Sequence, residues 1–411
     1  MFEVLMTEEQ KALREEIRDL VKSVPRQIIL DMDADKISFP TEFLEEAGRR
    51  NLLGLRFSPE YGGRGLTWTE ELIALEEIGT LGICFGCQYS LVSIVGETIH
   101  KYGTEEQKQK YLKPTLAGKK FCAEALTEPR GGSDFFGATS TAVRDGEYYI
   151  LNGQKRFVVG AEGADYFAVY AKTNPGAGPH DSMSLLLVDR GEGVNVKHVY
   201  GLMGARGNGT GRLLFKDVKV PVENLIGEEN QATKIFWQMM IPERLSSGAV
   251  SARASLALAA RYANRRKAFG QPIRDYQGVN FKIADCITKL DAVTGFAHTV
   301  AKIVQQELGS AGYRRRLVSE VKKFSTQAQW EVLNDCMQIL GGIGYTNALP
   351  IERNLRGSRL TTIWTGTTEI QNMIIQYEYF KEVLSKGIEG RDIAADVPLT
   401  EEELSEEIIY E

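Results

Sequence analysis

The spacing of apolar residues changes twice along the chain. In residues 1–120 they recur at helical intervals. Thr7 and Gln10 form a capping box ahead of a stripe of Leu13, Ile17, Leu20, Val21 and Val24, which predicts a helix. Thr69-Glu70-Glu71 opens another helix, and Thr104 with Gln107 caps a third just before Tyr111 and Leu112. Pro59-Glu60-Tyr61-Gly62-Gly63 reads as a turn between helices. From about 121 to 230 alternation and turn pairs take over. Residues 140–143 and 148–151 predict a hairpin around Asp145-Gly146, because Asp-Gly suits a type I′ turn. Asn152-Gly153 marks the next turn, and residues 166–171, 184–188 and 213–220 continue the strand pattern. Helices return from about 235 to 385. There the run from Ser246 to Ala260 is rich in Ser, Ala and Gly and predicts one closely packed helix. Helices, then strands, then helices imply a separate β domain, a small antiparallel barrel or sandwich.

The expected division is a helical domain over 1–120, a middle β domain over 121–234, a helical domain over 235–386 and an acidic extension over 387–411. A length of 411 residues accommodates two or three domains and a large core. The net charge of -6 weighs against a nucleic-acid surface. The start, MFEVLMTEEQKALREE, turns charged at once, so no secretory leader is expected. No run of about 18 apolar residues predicts a membrane span. The cysteines, Cys84, Cys87, Cys122, Cys286 and Cys336, are odd in number and scattered, which points to a reducing, cytoplasmic setting. Cys84 and Cys87 make a lone CxxC with no second pair and only 4 histidines in the chain, so buried small residues are expected there and no metal.

Several segments are ordinary singly. ALTEPRGGSD (125–134) is a turn whose glycines and Ser133 could cradle an anion. GARGNGTG (204–211) reads as a flexible, donor-rich loop. A strand rather than a helix follows it, so a dinucleotide fingerprint is excluded. YANRRKAFG (262–270) places cations at a helix end, and QILGGIGYT (338–346) stops a helix with a double glycine. As an ordered set, these segments with LNGQKRF (151–157), PVENLIGEE (221–229) and IWTGTTEI (363–370) are not ordinary. Their order and approximate spacing resemble the acyl-CoA dehydrogenase family over nearly all of residues 5–380.

The resemblance implies an α+β multidomain fold: an N-terminal helical domain, a middle antiparallel β-barrel domain and a C-terminal four-helix bundle. It also implies non-covalent FAD, a homotetramer, an acyl-CoA substrate and an electron-transfer flavoprotein as acceptor. The implied reaction takes a proton from Cα and a hydride from Cβ of an acyl thioester. By similarity, Thr127 and Ser133 contact the flavin and diphosphate, and Phe157 and Val159 lie beside the isoalloxazine. Thr367 and Glu369 complete the cofactor site, while Arg266, Phe269, Gln338 and Gly342 reach it from a neighbouring subunit. The backbone N–H of Thr365 is the implied donor to the thioester carbonyl.

The chain departs from the family pattern in three ways. Most members carry a glutamate base where this chain has Thr365, an unactivated hydroxyl that cannot serve. Glu243, in Ile241-Pro242-Glu243-Arg244, sits where isovaleryl-CoA and long-chain acyl-CoA dehydrogenases keep theirs, with Arg244 to orient it and meet the substrate. Val159 replaces the usual flavin-contacting hydroxyl, and Phe157 a commoner tryptophan. No arginine lies in 84–97, which disfavours a glutaryl group. With Ser133, Tyr89, Leu91 and Trp364 as acyl-side residues, a branched, long, bulky or cyclic acyl group is expected. The alternatives are a relative linked to acyl carrier protein or to oxygen, or a DNA-binding flavoprotein of the same fold. Tyr313-Arg314-Arg315-Arg316 would seed the basic patch of the last.

Overall fold

A computed structural model describes residues 2–249 and 251–396. The chain begins with helices α1 (Glu8–Ser23), α2 (Arg26–Asp33), α3 (Thr41–Arg49), α4 (Trp68–Ile78) and α5 (Ile83–Tyr102). α6 (Glu105–Gln107) and α7 (Lys113–Leu116) follow, joined by a π turn at Lys108–Leu112. The expected capping boxes form: Thr7 and Gln10 exchange bonds of 3.1 and 3.2 Å, and Thr104 pairs likewise with Gln107. α4 starts earlier than expected, because Thr67 is its cap. Glu70, three residues on, reaches back to Thr67 N at 2.9 Å and leaves Thr69 inside the first turn. The Pro59–Tyr61 turn lies where the sequence put it, ending on Gly62 at φ 95°.

The middle region is an eight-stranded sheet ordered β6-β7-β3-β2-β4-β5-β8, with β1 also on β4. Its strands are β1 (Cys122–Ala125), β2 (Thr141–Asp145), β3 (Tyr148–Val158), β4 (Tyr166–Lys172), β5 (Met183–Asp189), β6 (Val194–Val199), β7 (Gly211–Pro221) and β8 (Leu225–Ile226). Pairing is antiparallel except that β1 and the start of β2 run parallel to β4.

Two turn assignments need correction. Asp145 pairs with Tyr148, so the hairpin loop is Gly146-Glu147, with Gly146 at φ 59°, and not Asp145-Gly146. Asn152-Gly153 makes no turn: both lie inside β3. The Asn152 amide and carbonyl are engaged by Asp217 of β7 at 3.0 and 2.9 Å, which keeps the strand paired through a bulge. Gly153, at φ 146°, is there because any side chain would collide with Ser140.

β4 and β5 are buried along both faces, and their residues alternate between two cores. Tyr166, Ala168 and Tyr170 join Leu185 and Leu187 in the core shared with the N-terminal helices. Phe167, Val169 and Ala171 join Leu186 and Val188 in the core of the sheet itself. β1 obeys the same period of two. Cys122 faces the helices while Ala123 and Ala125 face the sheet core, which turns Glu124 toward the helices.

The final region holds α8 (Ala232–Leu245), α9 (Ala252–Arg265), α10 (Gln277–Gln305), α11 (Ala311–Leu340), α12 (Ile351–Thr361) and α13 (Thr368–Leu384). α9, α10 and α13 pack on α11. The small-residue run expected as one helix is broken by a turn at Ser246–Gly248. Ser246 Oγ donates to the Glu243 carbonyl at 3.1 Å, ending α8, and Gly248 lies against Ala297 and Val321. The glutamate-rich part of the expected extension, from Glu401 on, lies outside the described residues.

The GARGNGTG segment, expected as a flexible loop, is packed against its surroundings. Asn208 O accepts from Gly160 N at 2.8 Å and from Gln88 Nε2 at 3.0 Å, and residues 207–210 are buried. Gly204 lies against the Arg356 backbone and Gly207 against Met32, so its glycines permit close approach between domains. No described helix is long and apolar enough to cross a membrane.

Candidate active site

Where β1, the end of β3, α5, α8 and the loop before α13 converge, they enclose a cavity of about 770 Å³. Apolar side chains dominate its wall, among them Leu91, Ile94, Phe236, Trp237 and Met240. Phe135 and Phe236 stack there with ring centroids 4.2 Å apart.

Glu243 enters this wall from the last turn of α8. The apolar face of that helix (Ile235, Phe236, Met239, Met240) anchors it in the core. The Glu243 carboxyl is buried, and its Oε1 has no partner. Burial pushes its pKa up. Contact with Glu124 and the charges of Arg244 and Lys322 pull it back only in part. Arg244 is buried beside it and donates to Ser319 Oγ at 3.2 Å. Desolvation lowers the guanidinium to about 10, which leaves it charged at neutral pH.

Opposite α8 lies the turn before α13. Thr365 and Gly366 both have left-handed backbones, at φ 52° and 85°. That conformation is costly for a β-branched residue, so the surroundings must hold it. They do: Gln371 Nε2 donates to the carbonyls of Thr365 and Gly366 at 3.2 and 2.9 Å, and Lys322 Nζ to Gly366 O at 2.7 Å. Burial lowers Lys322 to about 8. The Thr365 hydroxyl is buried without a partner.

Of the residues singled out from the sequence, Glu243, Arg244, Leu91, Thr127, Ser133, Phe157, Val159, Trp364, Thr365 and Thr367 line this one cavity. Phe157 sits in a bulge of β3 at φ 55°; the residue is 57% exposed, and its ring packs on Tyr200 with centroids 5.0 Å apart. Thr367 caps α13 through its hydroxyl. Tyr89 is not brought to the cavity. It is 1% exposed in the core, and its hydroxyl donates to Leu52 O at 2.7 Å. Glu369 also stays outside, exposed on the first turn of α13. Arg266, Phe269, Gln338 and Gly342 lie exposed on the outer surface of the helical region, Phe269 at 98%. The Arg314–316 run is spent on local bonds: Arg314 holds backbone carbonyls, Arg315 pairs with Glu378, and Arg316 pairs with Glu320 and Glu382.

Sequence reasoning missed Glu124, Arg156, Cys87, Lys322 and Gln371. The first three line the cavity and the last two brace its turn. One signal was available: a glutamate in the middle of Cys-Ala-Glu-Ala, a strand otherwise of small residues. Burial, and next the charge of Glu243, raise the Cys87 thiol to about 12, so it stays neutral. Among the described residues no His, Cys, Asp and Glu cluster could hold a metal ion.

A buried carboxyl and a strained turn thus line one apolar cavity, an arrangement suited to acid–base chemistry. Comparison with known proteins makes the class specific. Family models of the acyl-CoA dehydrogenase N-terminal, middle and C-terminal domains match residues 7–119, 123–218 and 234–379. The chain belongs to the acyl-CoA dehydrogenase family, flavin-dependent oxidoreductases. It is 34% identical to the caffeyl-CoA reductase-Etf complex subunit CarC of Acetobacterium woodii, over 90% of this chain and 97% of that one. It resembles the butyryl-CoA dehydrogenase structure from Megasphaera elsdenii with a TM-score of 0.87 and 28% identity, over 91% of this chain and 99% of the other. It also resembles the prolyl acyl carrier protein oxidase AnaB, with a TM-score of 0.84 and 25% identity over 90% and 99%.

Proposed function

We propose that the chain is an FAD-dependent acyl-CoA dehydrogenase that introduces an α,β double bond into a branched, bulky or cyclic acyl-CoA, with Glu243 as base. The single observation that carries this is the Glu243 carboxyl, buried and incompletely bonded in the cavity that also holds the Thr365-Gly366 turn.

The residues present fit a flavin. Thr127 and Ser133 line the cavity, Gly132 beside them has open space where a side chain would be, and Phe157 offers an exposed ring. These residues, with Val159 and Thr367, would hold FAD, which when bound accepts a hydride from Cβ. Glu243, ionised, takes the α-proton. Its elevated pKa makes it a stronger base than a solvated carboxylate. The backbone N–H of Thr365 meets the thioester oxygen as enolate charge develops, in a conformation already fixed by Gln371 and Lys322. Arg244, held by Ser319, supplies a nearby positive charge that favours the ionised form of Glu243. The apolar wall excludes water and accepts a hydrocarbon acyl group.

A homotetramer accounts for Phe269, too exposed for a lone chain, with Arg266, Gln338 and Gly342 offered to a neighbour's cofactor. An electron-transfer flavoprotein is the proposed acceptor, in keeping with the name of the CarC relative. The free cysteines suit a cytoplasmic setting. A second reading places the acyl group on a carrier protein. It is favoured by the likeness to AnaB.

Anaerobic titration of the flavin with a panel of CoA and carrier-protein thioesters tests these points together. Bleaching by bulky acyl-CoAs is expected, and Glu243→Gln should stay yellow without bleaching. A clear preference for butyryl-CoA would defeat the acyl assignment, and bleaching only by carrier-bound acyl groups would favour the second reading.

A further inference from the structure

Glu124 has no role in the reaction described so far. It stands on the helix-facing side of β1, lines the cavity, and meets Glu243 carboxyl to carboxyl. It is half-buried where it lines the cavity.

Three of the four cations nearby are bonded to other groups, and the fourth, Arg156, has its Nε buried without a partner. Lys155 Nζ of β3 is held by Glu128 at 2.7 Å, Tyr170 O at 2.6 Å and Leu126 O at 3.1 Å. Arg244 bonds Ser319, and Lys322 of α11 bonds Gly366. Arg156 of β3 lines the same cavity. The neutral groups facing the pair are the Tyr170 hydroxyl of β4 and the Cys87 thiol of α5. No ion pair to Glu124 or Glu243 forms among the described residues. Two touching carboxylates in an apolar wall cannot both stay ionised, so the pair retains a proton.

We propose that Glu124 keeps that proton and donates it as a hydrogen bond to Glu243, acting as a positioning residue that fixes the direction and the working pH of the base. The proposal rests on the reading of Glu243 as base. Burial, followed by repulsion from Glu243, drives Glu124 far above the ordinary carboxylate range; burial raises Glu243 too, but contact with Glu124 and the charges of Arg244 and Lys322 offset part of that rise. Of the two carboxyls, Glu243 is the one that feels the charges of Arg244 and Lys322, which favours its ionised form and leaves the proton to Glu124. Abstraction of the substrate α-proton leaves both carboxyls neutral, and Glu243 then returns one proton to solvent.

Infrared spectroscopy of the holoenzyme labelled with 13C-glutamate tests this without turnover. At pH 7 a protonated-carboxyl stretch is expected in the native protein and in Glu243→Gln, and its loss is expected in Glu124→Gln. The pH profile of kcat/KM gives the second arm. Glu124→Gln retains an N–H donor and should leave the ascending limb in place. Glu124→Leu removes the donor and should move that limb up by about one pH unit. Absence of the band at pH 7, its survival in Glu124→Gln, or coincident limbs in all three proteins would overturn the proposal. Absence of the band from the native enzyme overturns the proposal even if a variant fails to fold. An active Glu243→Gln would sink the base reading separately, leaving the band to be judged alone.

Discussion

Glu124 and Glu128 lie four positions apart on one stretch of chain and meet opposite fates. Glu128 accepts from Lys155 Nζ at 2.7 Å, from Thr139 Oγ1 at 3.0 Å and from the backbone of Ser140 at 3.1 and 3.2 Å. Those partners overcome its burial and hold its carboxyl below the ordinary range. Glu124 meets another carboxyl instead, and burial pushes it the other way. The fully bonded carboxylate ties the segment after β1 to β3, while the carboxyl without a cationic partner lines the cavity. Burial alone does not separate structural from chemical carboxylates; the inventory of donors does.

The strongest test of the contrast is at Glu243, the proposed base. Glu243→Gln should reduce turnover by about 10²–10⁴-fold with bound flavin retained, read by absorbance and by single-turnover rates. On the structural side, Glu128→Ala strands Lys155 in the interior and should lower stability by about 3–5 kcal/mol in denaturant titrations. A smaller loss would mean that Lys155 finds another partner.

The pH dependence of stability sharpens the same pair of cases. Glu128 is lowered in the folded state, so its contribution is present above the unfolded value and fades as pH falls through the folded one. Glu124 is raised, so the folded state loses stability as pH rises from the ordinary carboxylate range toward the folded value. Glu124→Gln should therefore be more stable than the native chain at pH 7 and indistinguishable from it near pH 4, by thermal melts at each pH. The smallest effect belongs to Tyr89→Phe. Loss of the bond to Leu52 O should cost about 1 kcal/mol and leave acyl preference unchanged, because Tyr89 does not reach the cavity.

What the sequence made legible follows from local physics. Capping boxes at Thr7 and Thr104 are short-range patterns, and they form as read. Thr365 in place of an acid pointed away from the last loop and toward Glu243, and the two do line one cavity. Glu124 was illegible because its partner lies on α8, more than a hundred positions away, and no spacing rule spans that distance. Asn152-Gly153 misled for a related reason. Its turn propensity is real, but side-chain bonds to Asp217 on a neighbouring strand override it. The buried glycine loop at 204–211 looked flexible because close approach and flexibility draw on the same residue.

β4 serves two cores with alternate residues and carries β1 along its edge in parallel. A single inserted or deleted position there would exchange the contents of both interiors at once. It would also rotate the neighbouring glutamate to the far side of the sheet, out of reach of its counterpart on α8. Frame-preserving indels in that ribbon should therefore behave as active-site lesions, however far they lie from the thioester.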